Sequence, residues 1–581
     1  MKKISALLLA TMLVLGACSC VEAAPQPGPQ DAIAPDENGY FLSAPTSTAY
    51  TGEQLTVELS DVKYGGPQFV AKLFTEGLGR GPSANEYKYY IGLIEASGCT
   101  LETLTEVARQ FFSAQVFTNL KLEPAYEAMA VYRAVLNRDP TAEEAKTYAK
   151  QVKKKKAAGI ATQLMQGEEF AALLPAIVKG PYYWGVNNAE YSPSGNIITS
   201  KELQQMIRTS EGDTVELEPG TLVLMTTGIT LPMGKTLTTK GNPTHYTMQA
   251  RILRVGNNAS VMVKVQGNAV LSHVWVDGNR CAFQDSEEGL IGGTNVVMDG
   301  NNARVTHCRI NGSTSGTHLV GSDLRTGLYM AYNLITCYET IHEKAWTDGI
   351  THAATESVIE YNTVIDATDV GIIVFRFISA NHDVPQNTVV RNNTVLNLGN
   401  SAYAGLDIDT WHSQNATQLF TGTLFENNVL WTSFRAHQHF CLSIAPLAWT
   451  NAIGDRGIGT TMINNYTPEG LQVLCAAAIA VDGVTDVIVR GNHLNVYIGT
   501  WGRAYSNSSL KERLVSMNEE TSSGDIQGTW ENMTTWQPGL AFMNPHPQAP
   551  LRKARLKHAV VHEDRVTAQQ VGHPAATEQT D

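Results

Sequence analysis

The sequence predicts a mainly β chain: a parallel β-helix preceded by a smaller all-α domain. Three observations carry this. A short strand motif recurs with asparagine in one fixed slot. Composition switches sharply near residue 185. Before the switch, a helical unit occurs twice.

The strand motif comes first. Segments 358–364, 389–395 and 424–430 align, with Asn362, Asn393 and Asn428 in one slot. The slot extends to Asn333 upstream and to Asn465 and Asn492 downstream, and Cys308 takes it one turn earlier. The intervals from Asn333 are 29, 31, 35, 37 and 27 residues. Irregular intervals around one fixed motif suit stacked rungs whose connecting loops vary in length. Asparagine suits the tight turn, because it tolerates left-handed geometry and its amide can bond along the stack. An inward ladder follows, with Asn362, Asn393 and Asn428 about one strand separation apart, ~4.8 Å.

Composition sets the boundaries. Asparagine occurs four times before residue 185 and 32 times from 187 to 544, and Lys344 is the only lysine in residues 265–510. The chain of 581 residues is too long for one ordinary domain. At 43% hydrophobic and 17% charged it can bury a large core. Its net charge of −13 argues against a nucleic-acid partner.

The helical repeat pairs residues 78–86 with 136–144, five of nine positions being identical. Ser83 with Glu86, and Thr141 with Glu144, have capping-box spacing, and Pro82 and Pro140 stop the helices before them. Residues 65–178 therefore read as a helical repeat domain, separable from a β-helix over 196–510 with the boundary near 179–196. Residues 199–209, with Leu203, Met206 and Ile207, form a short amphipathic helix at the β-helix entry. Residues 511–545 read as a C-terminal cap, and 546–581 as a disordered tail.

At the N-terminus, Lys2 and Lys3 precede an apolar run too short to span a bilayer. Residues 1–24 read as a signal peptide, ending either in a lipobox with Cys18 as the lipidated residue or in ordinary cleavage after Ala23 or Ala24. Residues 25–64 form a linker. The protein is expected to be exported, as a cell-envelope lipoprotein held by an outer-membrane lipid anchor or as a secreted protein. The eight cysteines include no CxxC pair, so scattered buried thiols are expected rather than a zinc site.

The LGR-x-P-(S/T) pattern after FV-x-x-LF resembles an uncharacterised repeat of large secreted bacterial proteins, distantly similar to phycobilisome linker domains. That resemblance implies an interaction module, with a cell-surface protein as partner. The GDTVELEPGT start at 212–221, with the ladder after it, resembles the pectate-lyase-like superfamily. It implies a right-handed parallel β-helix over roughly 196–500. The superfamily hosts many reactions, so chemistry must come from the site.

Ionisable residues cluster between 342 and 412. Asp348 in TrpThrAspGlyIle and Asp369 in AlaThrAspValGlyIle resemble the carboxyl pair of polygalacturonases, which implies an inverting glycoside hydrolase. Val370 stands where that family has a second aspartate. A lyase acting on uronate linkages of an acidic glycan uses more of the cluster. Lys344 or Arg376 would serve as base or carboxylate clamp, beside Asp348 and Asp369. Asp407 and Asp409 would hold Ca²⁺, the one cofactor the pattern admits. His342, Trp346, His382, Trp411 and His412 would bind substrate, the tryptophans as sugar platforms. Asp348, Asp369, Lys344 and Arg376 are expected to converge on one outer face, with Arg376 and Asp407 in one slot of adjacent rungs. The reading is a polysaccharide-active protein, first a lyase; the alternatives are the hydrolase and a non-catalytic glycan-binding or adhesion protein.

Overall fold

The structure is a computed structural model. It describes residues 66–179, 191–256, 260–283, 293–314, 316–337, 346–376, 384–409, 418–433, 436–444, 457–475, 477–481, 483–498, 513–517, 524–529 and 534–535. The signal peptide, Cys18, the linker and the tail lie outside the described residues.

Strands assemble by pairing in parallel, most often with the strand three places on. This places three long sheets of nine, ten and twelve strands around one apolar core. The predicted class, a parallel β-helix with a smaller all-α part, is what the chain forms. Inward valine, isoleucine and leucine from all three sheets fill the coil, with Val364, Val395 and Leu430 in consecutive rungs. The helix Ser200–Thr209 lies at the N-terminal end, where Leu203 and Ile207 join the core. Met206, expected on that buried face, is exposed instead. Residues expected to cap the other end supply more of the coil. Arg513–Met517, Gly524–Thr529 and Thr534–Thr535 each extend a sheet by one strand.

The ladder runs as read. Each Asn Oδ1 accepts from the backbone N–H and the side-chain amide of the previous rung's asparagine. The Nδ2–Oδ1 steps are 2.9, 3.0, 3.0, 2.8 and 2.9 Å from Asn333 through Asn492. Cys308 starts it by donating its N–H to Asn333 at 3.0 Å. Left-handed geometry falls one residue earlier than expected, on Tyr332, Tyr361, Asn392, Asn427 and Asn464. The ladder asparagine is needed for its buried amide, and the residue before it makes the bend. Where that bend residue is aromatic, the rings stack outside the coil: His273 on His307, His307 on Tyr332, Tyr332 on Tyr361, at 4.7–5.1 Å.

Seven helices lie between Gly66 and Lys179 among the described residues. Both capping boxes form, at Ser83/Glu86 and Thr141/Glu144. The helix Gly66–Gly77 is buried along its whole length. The helical core is continuous with Trp275, Leu334, Ile365, Leu396 and Trp431 on the outside of the nine-stranded sheet. The two parts are therefore one body, not the separable domains that composition suggested. A buried ionic chain crosses the junction. Arg309 and Arg133 pair with Glu76, Arg133 and Arg251 with Asp139, and Arg251 with Asp277. The Arg251 guanidinium also lies 3.9 Å from the Trp275 ring centroid, a cation–π contact. Burial pushes the Glu76 carboxyl up, but Arg309 and Arg133 outweigh it and hold it at about 2. Such a chain is costly to break, because the surviving partner is left charged and dry.

Two measurements follow. Glu76→Ala takes the acid from Arg309 and one of two acids from Arg133 and should cost about 3–5 kcal/mol in denaturant unfolding; a loss below about 1 kcal/mol would contradict the interface. Asn393→Ala removes the acceptor of the Asn362 N–H and should cost roughly 1–3 kcal/mol by the same assay.

Candidate active site

The ten-stranded sheet brings the carboxylates together. Its strands Thr347–His352, Val370–Phe375, Ala402–Asp409 and Gln438–Ile444 lie in register on successive rungs. Ile350, Ile372, Leu406 and Leu442 form one inward row. Before each of the first three stands glycine: Gly349, Gly371 and Gly405. A Cβ at these positions would run into Val364, Val395 and Leu430 on the nine-stranded sheet. These glycines let the strand pass close to the opposite wall. Asp348 and Asp369 lie just before this crossing, and Asp407 two residues after it.

Asp348 is half-buried. It accepts from the Thr351 hydroxyl at 2.7 Å and from the Val370 N–H of the next rung at 3.0 Å. Behind it, His318 donates from Nδ1 to the Asp348 carbonyl at 2.8 Å. Burial raises the Asp348 carboxyl to about 6, with the Thr351 and Val370 bonds opposing. Asp369, also half-buried, is tied in through its backbone: its N–H donates to Thr347 O at 3.1 Å, and its carbonyl accepts from Tyr403 N at 2.6 Å. Burial pushes its carboxyl well above the usual range, and Asp348 and Asp407 push it further. Asp407 is fully buried, and neither of its oxygens has a hydrogen-bond partner. Burial raises it to about 8; the nearby Ser443 hydroxyl opposes this and Asp348 adds to it. Like charges on neighbouring groups cannot all ionise near neutrality. Burial therefore favours the protonated form across the cluster, and like-charge repulsion favours it further at Asp369 and Asp407.

The other expected site residues divide. Arg376 turns away, donating to the carbonyls of Val384 at 2.5 Å and Leu419 at 2.9 Å, with Asp323 as the acid that acts on it. It does not share a slot with Asp407, whose partner across the rungs is Ile373; Phe375 pairs with Asp409. The slot count failed because the loops between these strands differ in length. Asp409 is buried on the same face as Asp407, yet among the described residues no three His, Cys, Asp or Glu side chains are arranged to hold a metal. Trp346 is half-buried at the entry of its strand, where its carbonyl accepts from Gly316. Lys344, His342, His382, Trp411 and His412 lie outside the described residues.

Two residues here were not singled out by sequence as part of the site. Tyr403 and His439 continue the Asp369 column on the next two rungs, their rings stacked at 6.0 Å. Aligning AspValGlyIle, TyrAlaGlyLeu and HisPheCysLeu on the inward residue would have found them.

No family model matches the chain, and no curated protein matches it. Solved structures similar to it include the Dettilon tailspike protein, at 14% identity over 54% of this chain and 71% of that one, TM-score 0.34. Another is endo-xylogalacturonan hydrolase from Aspergillus tubingensis, at 11% identity over 60% and 91%, TM-score 0.41. A third is alginate lyase from Paenibacillus sp., at 9% identity over 50% and 99%, TM-score 0.31. None of these likenesses bears on which residues act.

The buried cluster makes stability depend on pH. The folded Asp407 titrates near 8, and an unfolded aspartate near ~3.9. Between those values the folded chain holds a proton that the unfolded chain has released, so stability falls as pH rises through the window. Asp407→Asn should stabilise the protein at pH 8 by on the order of 1–3 kcal/mol and have little effect at pH 4. Thermal unfolding at both values checks this; an equal effect at the two would contradict it.

Proposed function

We propose that the protein is an exported polysaccharide-active enzyme that hydrolyses glycosidic bonds, with Asp369 as general acid and Asp348 as general base. One observation carries this. Two half-buried carboxyl groups stand on adjacent rungs of one outer sheet, both raised by burial, with Asp369 pushed further by the charge of Asp348. Glycoside hydrolysis needs one carboxylic acid and one carboxylate flanking the bond. The Asp369 proton passes to the leaving glycosidic oxygen. Asp348 takes a proton from the water that attacks the anomeric carbon. The C–O bond breaks, a new C–O bond forms, and the two carboxyls exchange their states until solvent resets them. The ionised Asp348 favours the protonated form of Asp369 by like-charge repulsion, added to the effect of burial.

The lyase reading was preferred from sequence because Lys344 and Arg376 could neutralise a uronate. Arg376 donates to backbone carbonyls, and among the described residues the groups acting on Asp369 and Asp407 include no cation. Lys344, the other candidate clamp, lies outside the described residues. Export, and an anchor at Cys18, would place the enzyme where large glycans are met.

A panel of neutral and acidic polysaccharides, read by reducing ends and by the absorbance of unsaturated product, tests the proposal. New reducing ends without unsaturated product are expected. Asp348→Asn and Asp369→Asn should each lower kcat by about 10²–10⁴-fold with the fold intact. The acid limb of kcat/KM should fall near pH 6 and vanish in Asp348→Asn. Unsaturated product, or full activity in both variants, would overturn it.

A further inference from the structure

A buried lysine stands beside the ionic chain at the helix–coil junction. Along the helix Gly66–Gly77, Gln68, Lys72 and Glu76 follow at one-turn intervals, and all three are fully buried. Glu76 takes Arg133 and Arg309, and Gln68 donates from Nε2 to Asp366 Oδ2 at 2.8 Å. Lys72, between them, donates from Nζ to Asn137 Oδ1 at 2.9 Å. Asn137 is itself buried. An ammonium in a dry interior is costly, so burial favours the uncharged amine. It pushes Lys72 well below the usual lysine range, against the opposing charges of Glu76 and Asp366.

The helical repeat does not require this pair. Asn137 ends the helix Pro124–Leu136 in left-handed geometry, at φ 59°. Its counterpart in the first copy, Gly79, is left-handed too, at φ 69°. The turn needs a positive φ, which glycine meets at no steric cost. Asparagine meets it as well and adds an amide. The counterpart of Lys72 in the second copy is Ala130. One copy thus supplies an amine and the other an amide, and the fold holds the two in contact.

We propose that Lys72 and Asn137 are a modification site: they condense into an intramolecular isopeptide bond that ties the first helical unit to the second, across 65 positions of chain. The uncharged Lys72 Nζ attacks Asn137 Cγ, the carbon that bears the accepting oxygen. The Nζ–Cγ bond forms, the Cγ–Nδ2 bond breaks, and Nδ2 leaves as ammonia. The amine gives up one proton and the departing nitrogen gains one, so the step needs no oxidant and no co-reactant. Asp366 is the proton carrier. It joins the same buried face through Gln68, one turn from Lys72, and burial raises its carboxyl to about 6, where it can take up a proton and give it back. Glu76 is held by two arginines instead. Contact inside a rigid interior replaces a bimolecular encounter, which strongly accelerates such a reaction. The product is a neutral amide where a dry amine stood. The inference does not rest on the hydrolase reading.

The full-length protein is denatured, digested and mapped by tandem mass spectrometry. The expected result is a branched peptide joining Lys72 to Asn137, lighter by one ammonia than its two arms taken separately. Separate peptides with both residues unmodified would overturn the proposal. So would ammonia loss confined to the Asn137 peptide, the mark of a succinimide. Lys72→Arg tells these apart: Asn137 should be intact in that variant, and ammonia lost from it there would also overturn the proposal. In a time course after cell-free synthesis, Asp366→Asn should link about 10²-fold more slowly than wild type. An equal rate in the two would overturn the role of Asp366 as proton carrier.

Discussion

Everything in this molecule hangs on in-register parallel stacking. Each strand bonds to its equivalent on the next rung, most often three places on, so a residue's neighbours along the axis are its equivalents on the next rungs. Identical side chains gain when they can bond to copies of themselves. Asparagine can, because its amide is donor and acceptor at once, and the ladder from Asn333 to Asn492 is the result. Stacked aromatic rings at the outer bend gain in the same way. Carboxylates lose, because like charges repel. Burial raises the proton affinity of Asp348, Asp369 and Asp407, and repulsion from Asp348 adds to it at Asp369 and Asp407.

Stacking also leaves the outer face of the nine-stranded sheet in need of cover. Trp275, Leu396 and Trp431 are apolar and face out of the coil. The helices cover them, and their own apolar faces are shared between each other and the sheet. The buried arginines at this junction are tolerated because carboxylates and the Trp275 ring surround them. Such a chain specifies one seating of the helices, since a shifted helix would leave charges unpaired in a dry interface.

The ten-stranded sheet shows how a structural need and a chemical one meet. Glycine at Gly349, Gly371 and Gly405 lets the strands press against the opposite wall. Asp348 and Asp369 sit just outside that crossing, where burial is deep enough to shift their protons and open enough to admit solvent. Asp407 sits deeper and is fully buried.

The sequence by itself determined the coil. The asparagine slot, the alternating inward residues and the capping boxes are local patterns, and local patterns survive reading one residue at a time. It also singled out Asp348 and Asp369, because each stands beside a glycine-containing strand start. What it could not determine was which residues share a rung position once loops of unequal length intervene. Arg376 and Asp407 were matched by counting, and the register pairs Asp407 with Ile373 instead. Nor could composition reveal that the helices and the coil are one body, because ion pairs such as Glu76 with Arg309 join residues more than 200 positions apart. Tertiary structure decided both, since contact across the axis depends on how the chain closes each turn and not on how far apart two residues lie along it.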